Sequence, residues 1–254
     1  MKVCVIASGS EGNMTYVETK EGKFLIDAGI SVNDATLRTS EVDFSHIDGI
    51  FVTHSHWDHT NYLDTVAKKT NAVVYLSEEC FGELKPKVKK GLINQPISYI
   101  QGESVYHIKD IDLYTLNLSH DTKTTFGFII DDGSKRFGYF TDTGIFPSRY
   151  KSLLSSINFL MIEANHNVSM LQNSNRPYFL IQRILSSKGH LSNQACFELL
   201  SEVLTDKNEY IILSHKSKDC NSDEMIEEEI ISRLETNAKI MIAKRDEALP
   251  LIEL

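Results

Sequence analysis

The chain has no apolar run of the roughly 18 residues that a membrane helix needs, so no transmembrane span is expected. The N-terminal "MKVCVIASGS" is too short for a signal-peptide core and breaks into a Gly/Ser turn. It reads as a buried first strand. Cysteine is scarce: Cys4, Cys80, Cys196 and Cys220 are scattered, with no C-x-x-C pair. That argues against a disulfide framework and against thiolate metal ligands, and it points to free thiols in a reducing cytoplasm. Basic charge is also short, with 26 Lys and Arg against 35 Asp and Glu and a net charge of -9. Long-range attraction of a polyanion is therefore not favoured, although a local patch can still bind one. The only notable basic run, "KPKVKK" at 85–90, reads as a solvated loop. Low-complexity linkers and short-period repeats are absent.

What is present is enough apolar residue, 41% of 254, for a sizeable core. Residues 1–254 are read as one domain. Strand-length apolar runs recur between turns. "KVCVIA", "TYVET" and "KFLIDAG" are three strands in a row, and "GIFVT" is a buried fourth. "YLDTVAKK" has helical spacing, and "VVYL" returns as a strand. "ESVYHI", "IDLYTLNL", "TFGFII" and "RFGYFT" read as consecutive antiparallel strands, with "DDGS" as a hairpin turn. In the last third, "NFLMIEA" and "YIILSH" are strands, while 178–187, 193–204 and 223–234 are helical. A β-rich stretch followed by α/β, twice over, predicts two sheets flanked by helices, an α/β four-layer sandwich.

The chemistry is concentrated in "FVTHSHWDHT", where His54, His56, Asp58 and His59 spell H-x-H-x-D-H at the end of a strand. Imidazole and carboxylate are zinc ligands, and catalytic zinc sites keep a position open for water. Two histidines two apart on an extended segment point the same way, so His54 and His56 can share one metal, while Asp58 and His59 can turn toward another. One segment cannot close two sites. Three other polar residues follow apolar strands: His120 after "YTLNLS", Asp142 after "RFGYFT" and His215 after "YIILS". Any of them alone reads as a capping residue. Together with the first motif they read as the missing ligands.

This pattern resembles the metallo-β-lactamase superfamily over nearly the whole chain. The resemblance implies an αββα sandwich with two divalent metals on one edge. His54, His56 and His120 would hold one metal, Asp58, His59 and His215 the other, and Asp142 would bridge them. A cysteine-free set is unlike the zinc β-lactamases that use one and is like the hydrolase and nuclease branches. "ASGSEGN", "LIDAG", "TDTG", "EANHN", "RILSSKGHLSN" and "LSHKS" are similar to the YycJ/WalJ group and, more distantly, to RNase Z. That similarity implies that Glu163 supports His190 near the scissile phosphate. A carboxylate beside an imidazole favours the cation, which can bind phosphate or protonate a leaving oxygen. Ser10 and Asn13 in a Gly-containing loop, and Ser192 and Asn193 beside His190, are candidate substrate contacts. Trp57, the single tryptophan, lies between ligands and could stack on a base or simply pack. His166 could reach the cleft, whereas His46 and His107 read as structural or surface residues.

Two metals can lower the pKa of a water and polarise a phosphoryl oxygen together, which makes phosphodiester hydrolysis the expected reaction, with Asp58 orienting the nucleophile. Histidine-rich ligation favours zinc, and the carboxylates leave manganese open. The resemblance implies a nucleotide substrate and, as in RNase Z-like enzymes, a homodimer. The acidic chain, the few arginines (Arg176 and Arg183) and the lack of a tRNA-gripping arm lean toward a cyclic mononucleotide, as in anti-Pycsar phosphodiesterases. A YycJ/WalJ-like DNA exonuclease or an RNase Z-like nuclease stands beside it. A thioester or lactone hydrolase would use the same metals without needing the Glu163–His190 pair.

Overall fold

A computed structural model describes residues 1–254. The first sheet is built from β1 (Lys2–Ala7), β2 (Met14–Glu18), β3 (Lys23–Ile26), β4 (Gly49–Phe51), β5 (Val73–Leu76) and β6 (Ile97–Tyr99). The second contains β7 (Ser104–Ile108), β8 (Ile111–Asn117), β9 (Phe126–Asp131), β10 (Arg136–Phe140), β11 (Phe159–Glu163), β12 (Tyr210–Ser214) and β13 (Lys239–Ile242). A last short strand, β14 (Ile252–Glu253), returns to the first sheet beside β1. Each sheet changes from antiparallel to parallel pairing, at β3–β4 in the first and at β10–β11 in the second.

Strand alternation accounts for the layers. In β1, Val3 and Val5 pack between the sheets with Phe24, Phe51, Phe128 and Phe159, while Cys4 and Ile6 face the other way. That outer face is covered by the helix Leu63–Thr70, through Leu63, Val66 and Ala67. On the second sheet, Leu160, Ile162, Ile211 and Leu213 point out and meet Cys196, Leu199 and Leu200 of the helix Asn193–Val203. Successive strand residues belong to opposite faces, so one sequence period builds both the inner core and the two outer ones. The result is the helix–sheet–sheet–helix sandwich expected from the sequence.

Two local expectations are corrected. "KPKVKK" is no loop: Pro86 takes the first helical position, where its missing N–H costs nothing, and the helix Pro86–Gly91 buries Val88 while Lys85, Lys87 and Lys90 stay exposed. The helix starting at Asp223 stops at Glu229. Ile230 leaves helical geometry (φ -122°, ψ -66°) and buries its side chain, and a 3-10 turn, Ile231–Arg233, completes the segment. The short edge strands β6, β13 and β14 carry too few residues for periodicity to announce them.

The arrangement puts the carboxyl ends of β3, β4, β8, β10, β11 and β12 on one rim. Open α/β sheets bind ligands at such a rim, because side chains there turn out of the pleat into the loops.

Candidate metal centre

His54 follows β4, His120 follows β8, Asp142 follows β10 and His215 follows β12. His56 precedes the four-residue helix Trp57–Thr60, which carries Asp58 and His59. Their potential ligand atoms gather in overlapping sets: His54, His56 and His120; His54, His59 and Asp142; Asp58, His59 and His215. Within each set all ligand atoms lie within 4.8 Å of one another. All seven residues proposed from the sequence as ligands therefore meet in one place.

The outward nitrogens of these rings are fixed by neighbours. His59 Nδ1 donates to Asp27 Oδ2 at 2.6 Å, His120 Nδ1 to the Gly189 carbonyl at 3.0 Å, and His215 Nδ1 to Glu163 Oε1 at 3.0 Å. The Thr53 hydroxyl donates to Asp27, so His54 Nδ1, 3.0 Å away, donates to Thr53. In each ring Nε2 is the nitrogen that faces inward, the atom a metal would take in place of its proton. His56 is reversed: its Nε2 lies 3.4 Å from Asp121, and its Nδ1 lies 3.3 Å from His120 Nε2. Nε2 of His54 and of His215 is buried with no hydrogen-bond partner. Such orphaned atoms are costly unless something binds them, so the residues fit divalent metal ions.

The backbone is also forced at this rim. Asp27, Asp142 and His215 all have positive φ, at 62°, 56° and 53°. Left-handed backbone at a non-glycine residue persists only where its surroundings hold it. His215 is gripped by Ser8 Oγ, which accepts its N–H at 2.9 Å, and by Asn165 Nδ2, which donates to its carbonyl at 2.8 Å. Gly29 makes room for the metal loop, since a Cβ there would lie 1.8 Å from the Asp58 carbonyl oxygen.

Charges follow the same logic. Burial acts against ionisation of Asp58 and Asp142, yet the facing imidazoles of His59 and His215 hold both carboxyls well below their usual range. Burial lowers His54, and neighbouring histidines lower it further, so it stays neutral. Glu163 is fully buried, and burial alone would raise it; His190 and the hydrogen bonds from His190 and His215 bring it down to about 2. His190 is pushed up in turn, because Glu163 more than offsets its burial. The pair is in contact, Nδ1 to Oε1 at 2.7 Å, while Glu163 Oε2 accepts from the N–H groups of Thr143 and Leu191.

Four sequence candidates are not brought to the centre as substrate contacts. Ser10 is an exposed turn residue. Asn13 is buried and bonds both ways with Gly9, and its Nδ2 lies 3.0 Å from His59 Nε2, so it braces the metal loop. Ser192 caps the helix Asn193–Val203 through the N–H of Ala195. Asn193 is fully buried and committed to Asn221 and Glu229. Trp57 is 45% exposed with Lys85 over its ring. His46 and His107 are surface residues paired with Asp48 and Asp112. His166 is buried against Asn165. Sequence reasoning passed over Asp27 and Asp121 as site residues. Asp27 stood inside the quoted "LIDAG" and Asp121 directly after His120, and neither carries a spacing that marks it.

Comparison with known proteins agrees with this geometry. The family model described as "Beta-lactamase superfamily domain" matches residues 23–215. The chain is 33% identical to the exodeoxyribonuclease YycJ of Bacillus anthracis, covering 87% of this chain and 84% of that one. It is 31% identical to the exodeoxyribonuclease WalJ of Streptococcus pneumoniae, covering 100% of this chain and 98% of the other. Among solved structures, the metallo-β-lactamase fold protein YhfI from Bacillus subtilis superposes with a TM-score of 0.72 over 98% of both chains, at 16% identity, which bears on the fold alone.

Proposed function

The chain belongs to the metallo-β-lactamase superfamily, in its hydrolase branch, and from that premise we propose that it is a two-metal phosphodiesterase acting on a DNA strand. The observation that carries the reaction class is the Glu163–His190 contact beside the seven-residue cluster. Simple ester or lactone hydrolysis has no use for a cation held at that point, whereas a phosphate does.

In this reading His54, His56 and His120 would hold one metal, Asp58, His59 and His215 would hold a second, and Asp142 would serve both. Bound there, divalent cations supply an activated water and neutralise charge on phosphoryl oxygens. Asp58, anionic and partly open on one side, orients the attacking water. With Nδ1 of His190 tied to Glu163, Nε2 is the atom that binds a phosphoryl oxygen or gives its proton to the leaving oxygen. The histidine-rich set suits zinc, and its two carboxylates, Asp58 and Asp142, admit manganese.

Similarity to two exodeoxyribonucleases, over 84% and 98% of their lengths, favours DNA over the cyclic mononucleotide that the acidic composition first suggested. The second reading keeps one observation in its favour, the net charge of -9. The deciding experiment offers single-stranded DNA, duplex DNA and cyclic mononucleotides side by side to the zinc- or manganese-loaded protein. Salt-sensitive release of mononucleotides from DNA is the expected result. Turnover of cyclic nucleotides with intact DNA would overturn the choice of substrate.

A further inference from the structure

The helix Tyr178–Leu185 buries Ile181 and Ile184 against Leu171 and Cys220. Its outward face opens with two aromatic residues, Tyr178 at 76% and Phe179 at 74% exposure. Neither is needed by the core. One turn further along, about 5.4 Å, is Arg183, which pairs with Asp121. Asp121 in turn lies 3.4 Å from His56 and 3.2 Å from His120. The far end of the helix is seated at the centre itself. The Gly189 carbonyl accepts from His120, and Gly144 lets the turn pass so close that a Cβ there would lie 2.2 Å from the Ser186 carbonyl oxygen. The aromatic pair and the metal cluster are thus two ends of one rigid element.

The charge pattern singles out the same segment. In a chain with 35 acidic residues, no Asp or Glu occurs between Glu163 and Glu198, while Arg176, Arg183 and Lys188 do. Asp219 and Asp121 meet the two arginines, but Arg183 remains 51% exposed and a guanidinium has five donors. The segment that leads to the metal cluster contributes no carboxylate of its own, in a chain where acidic residues outnumber basic ones.

We propose that this helix face is a stacking platform for a single nucleic-acid strand whose scissile phosphate is at the metal cluster. Bases one and two steps away stack on Phe179 and Tyr178, and Arg183 takes the intervening phosphate. The inference rests on the DNA phosphodiesterase reading above and adds the surface that holds the strand. Aromatic faces beside a cation track a strand without regard to sequence. The mixed face, with Gln182 and Arg183 among the aromatics, is unlike the dry apolar centre of a permanent subunit interface.

The test is the double substitution Tyr178→Ala with Phe179→Ala in the metal-loaded full chain, beside Phe179→Trp. Two substrates are read: bis-p-nitrophenyl phosphate, which has no base, and a short single-stranded oligodeoxynucleotide. Expected are unchanged kcat/KM on the first and a KM raised about tenfold or more on the second, with kcat little altered and Phe179→Trp close to wild type. Equal KM values for the oligonucleotide in wild type and double variant would overturn the platform. A dimer by light scattering that the double variant turns into a monomer, with oligonucleotide KM unmoved, would reassign the face to a second copy of the chain. Failure of the wild type to cleave DNA at all, with cyclic nucleotides turned over, would instead sink the underlying substrate reading.

Discussion

Asp27 Oδ2 stands 2.6 Å from Nδ1 of His59, with both side chains fully out of solvent. The same carboxylate accepts from the Thr53 hydroxyl and the Thr53 N–H, so Thr53, and through it His54, is fixed as well. One aspartate therefore sets the orientation of two proposed ligands without facing a metal itself. Asp27→Asn keeps the shape and loses the charge that makes the imidazole a better ligand. We expect metal affinity or kcat to fall about 10- to 100-fold. Isothermal titration with zinc and manganese, beside kcat on bis-p-nitrophenyl phosphate, measures it; wild-type values for both would remove Asp27 from the site.

Metal removal tests the cluster as a whole. Orphaned inward nitrogens and two buried anionic aspartates are poorly accommodated without cations. A ligand present at a hundredfold excess over its Kd stabilises the native state by about 2.7 kcal/mol. Chelation is therefore expected to abolish hydrolysis and lower Tm by several degrees, and zinc or manganese to restore both. His56→Ala should remain inactive after metal loading. Activity that survives in that variant would sink the proposed ligand set.

His166 gives a pH dependence away from the ligand set. Burial, the largest influence, brings its pKa down to about 4 from 6.5. The unfolded chain takes up this proton near pH 6.5 and the native state only near pH 4, so native stability is complete above the first value and drains away as pH falls toward the second. By pH 5 the loss is on the order of 2 kcal/mol. The Tm of wild type should drop more steeply between pH 7 and pH 5 than that of His166→Asn. Parallel curves would show that His166 is free to protonate in the folded protein.

The seven residues that converge at the rim were legible in the sequence because H-x-H-x-D-H is local and the other three each end an apolar strand. The sequence also carried the layers, since a period of two assigns Val3 and Cys4 to opposite faces whatever the topology. It could not carry the partners that hold the ligands in place. Asp27 and His59 are 32 residues apart and meet only because β3 and β4 are neighbours in the sheet. The roles of the turn-side Ser and Asn residues were hidden for a related reason. Ser and Asn beside a turn look alike whether they face a cleft or, as Ser192 and Asn193 do, cap a helix and join a buried amide network. Tyr178 and Phe179 read as helix residues, and only the packing of Ile181 and Ile184 shows which side they take.

The thiols offer a simple check of the core. All four cysteines are buried, and burial pushes Cys4 up to about 12 and raises Cys80 and Cys196 as well. The thiolate is the reactive form. Ellman's reagent at pH 8 should therefore label the native protein slowly and all four sites at once in denaturant. Rapid labelling of a native thiol would mean that the segment covering that cysteine opens in the native state.

Glu163 accepts four hydrogen bonds from four donors: Nδ1 of His190 and of His215 on one oxygen, and the N–H groups of Thr143 and Leu191 on the other. A glutamine has no orientation that serves this pocket, because its NH2 must face either two imidazole N–H groups or two backbone N–H groups. Glu163→Gln leaves buried donors opposed, which costs about 2–4 kcal/mol, and it also releases His190 from its cationic form. His190→Ala removes the cation and leaves Glu163 its other three partners. We expect Glu163→Gln to lose both Tm and kcat, and His190→Ala to lose kcat by about 100-fold or more with Tm nearly intact. The contrast separates a residue that touches the substrate from one that positions it. A His190→Ala variant with wild-type kcat on DNA would leave Glu163 a purely structural carboxylate.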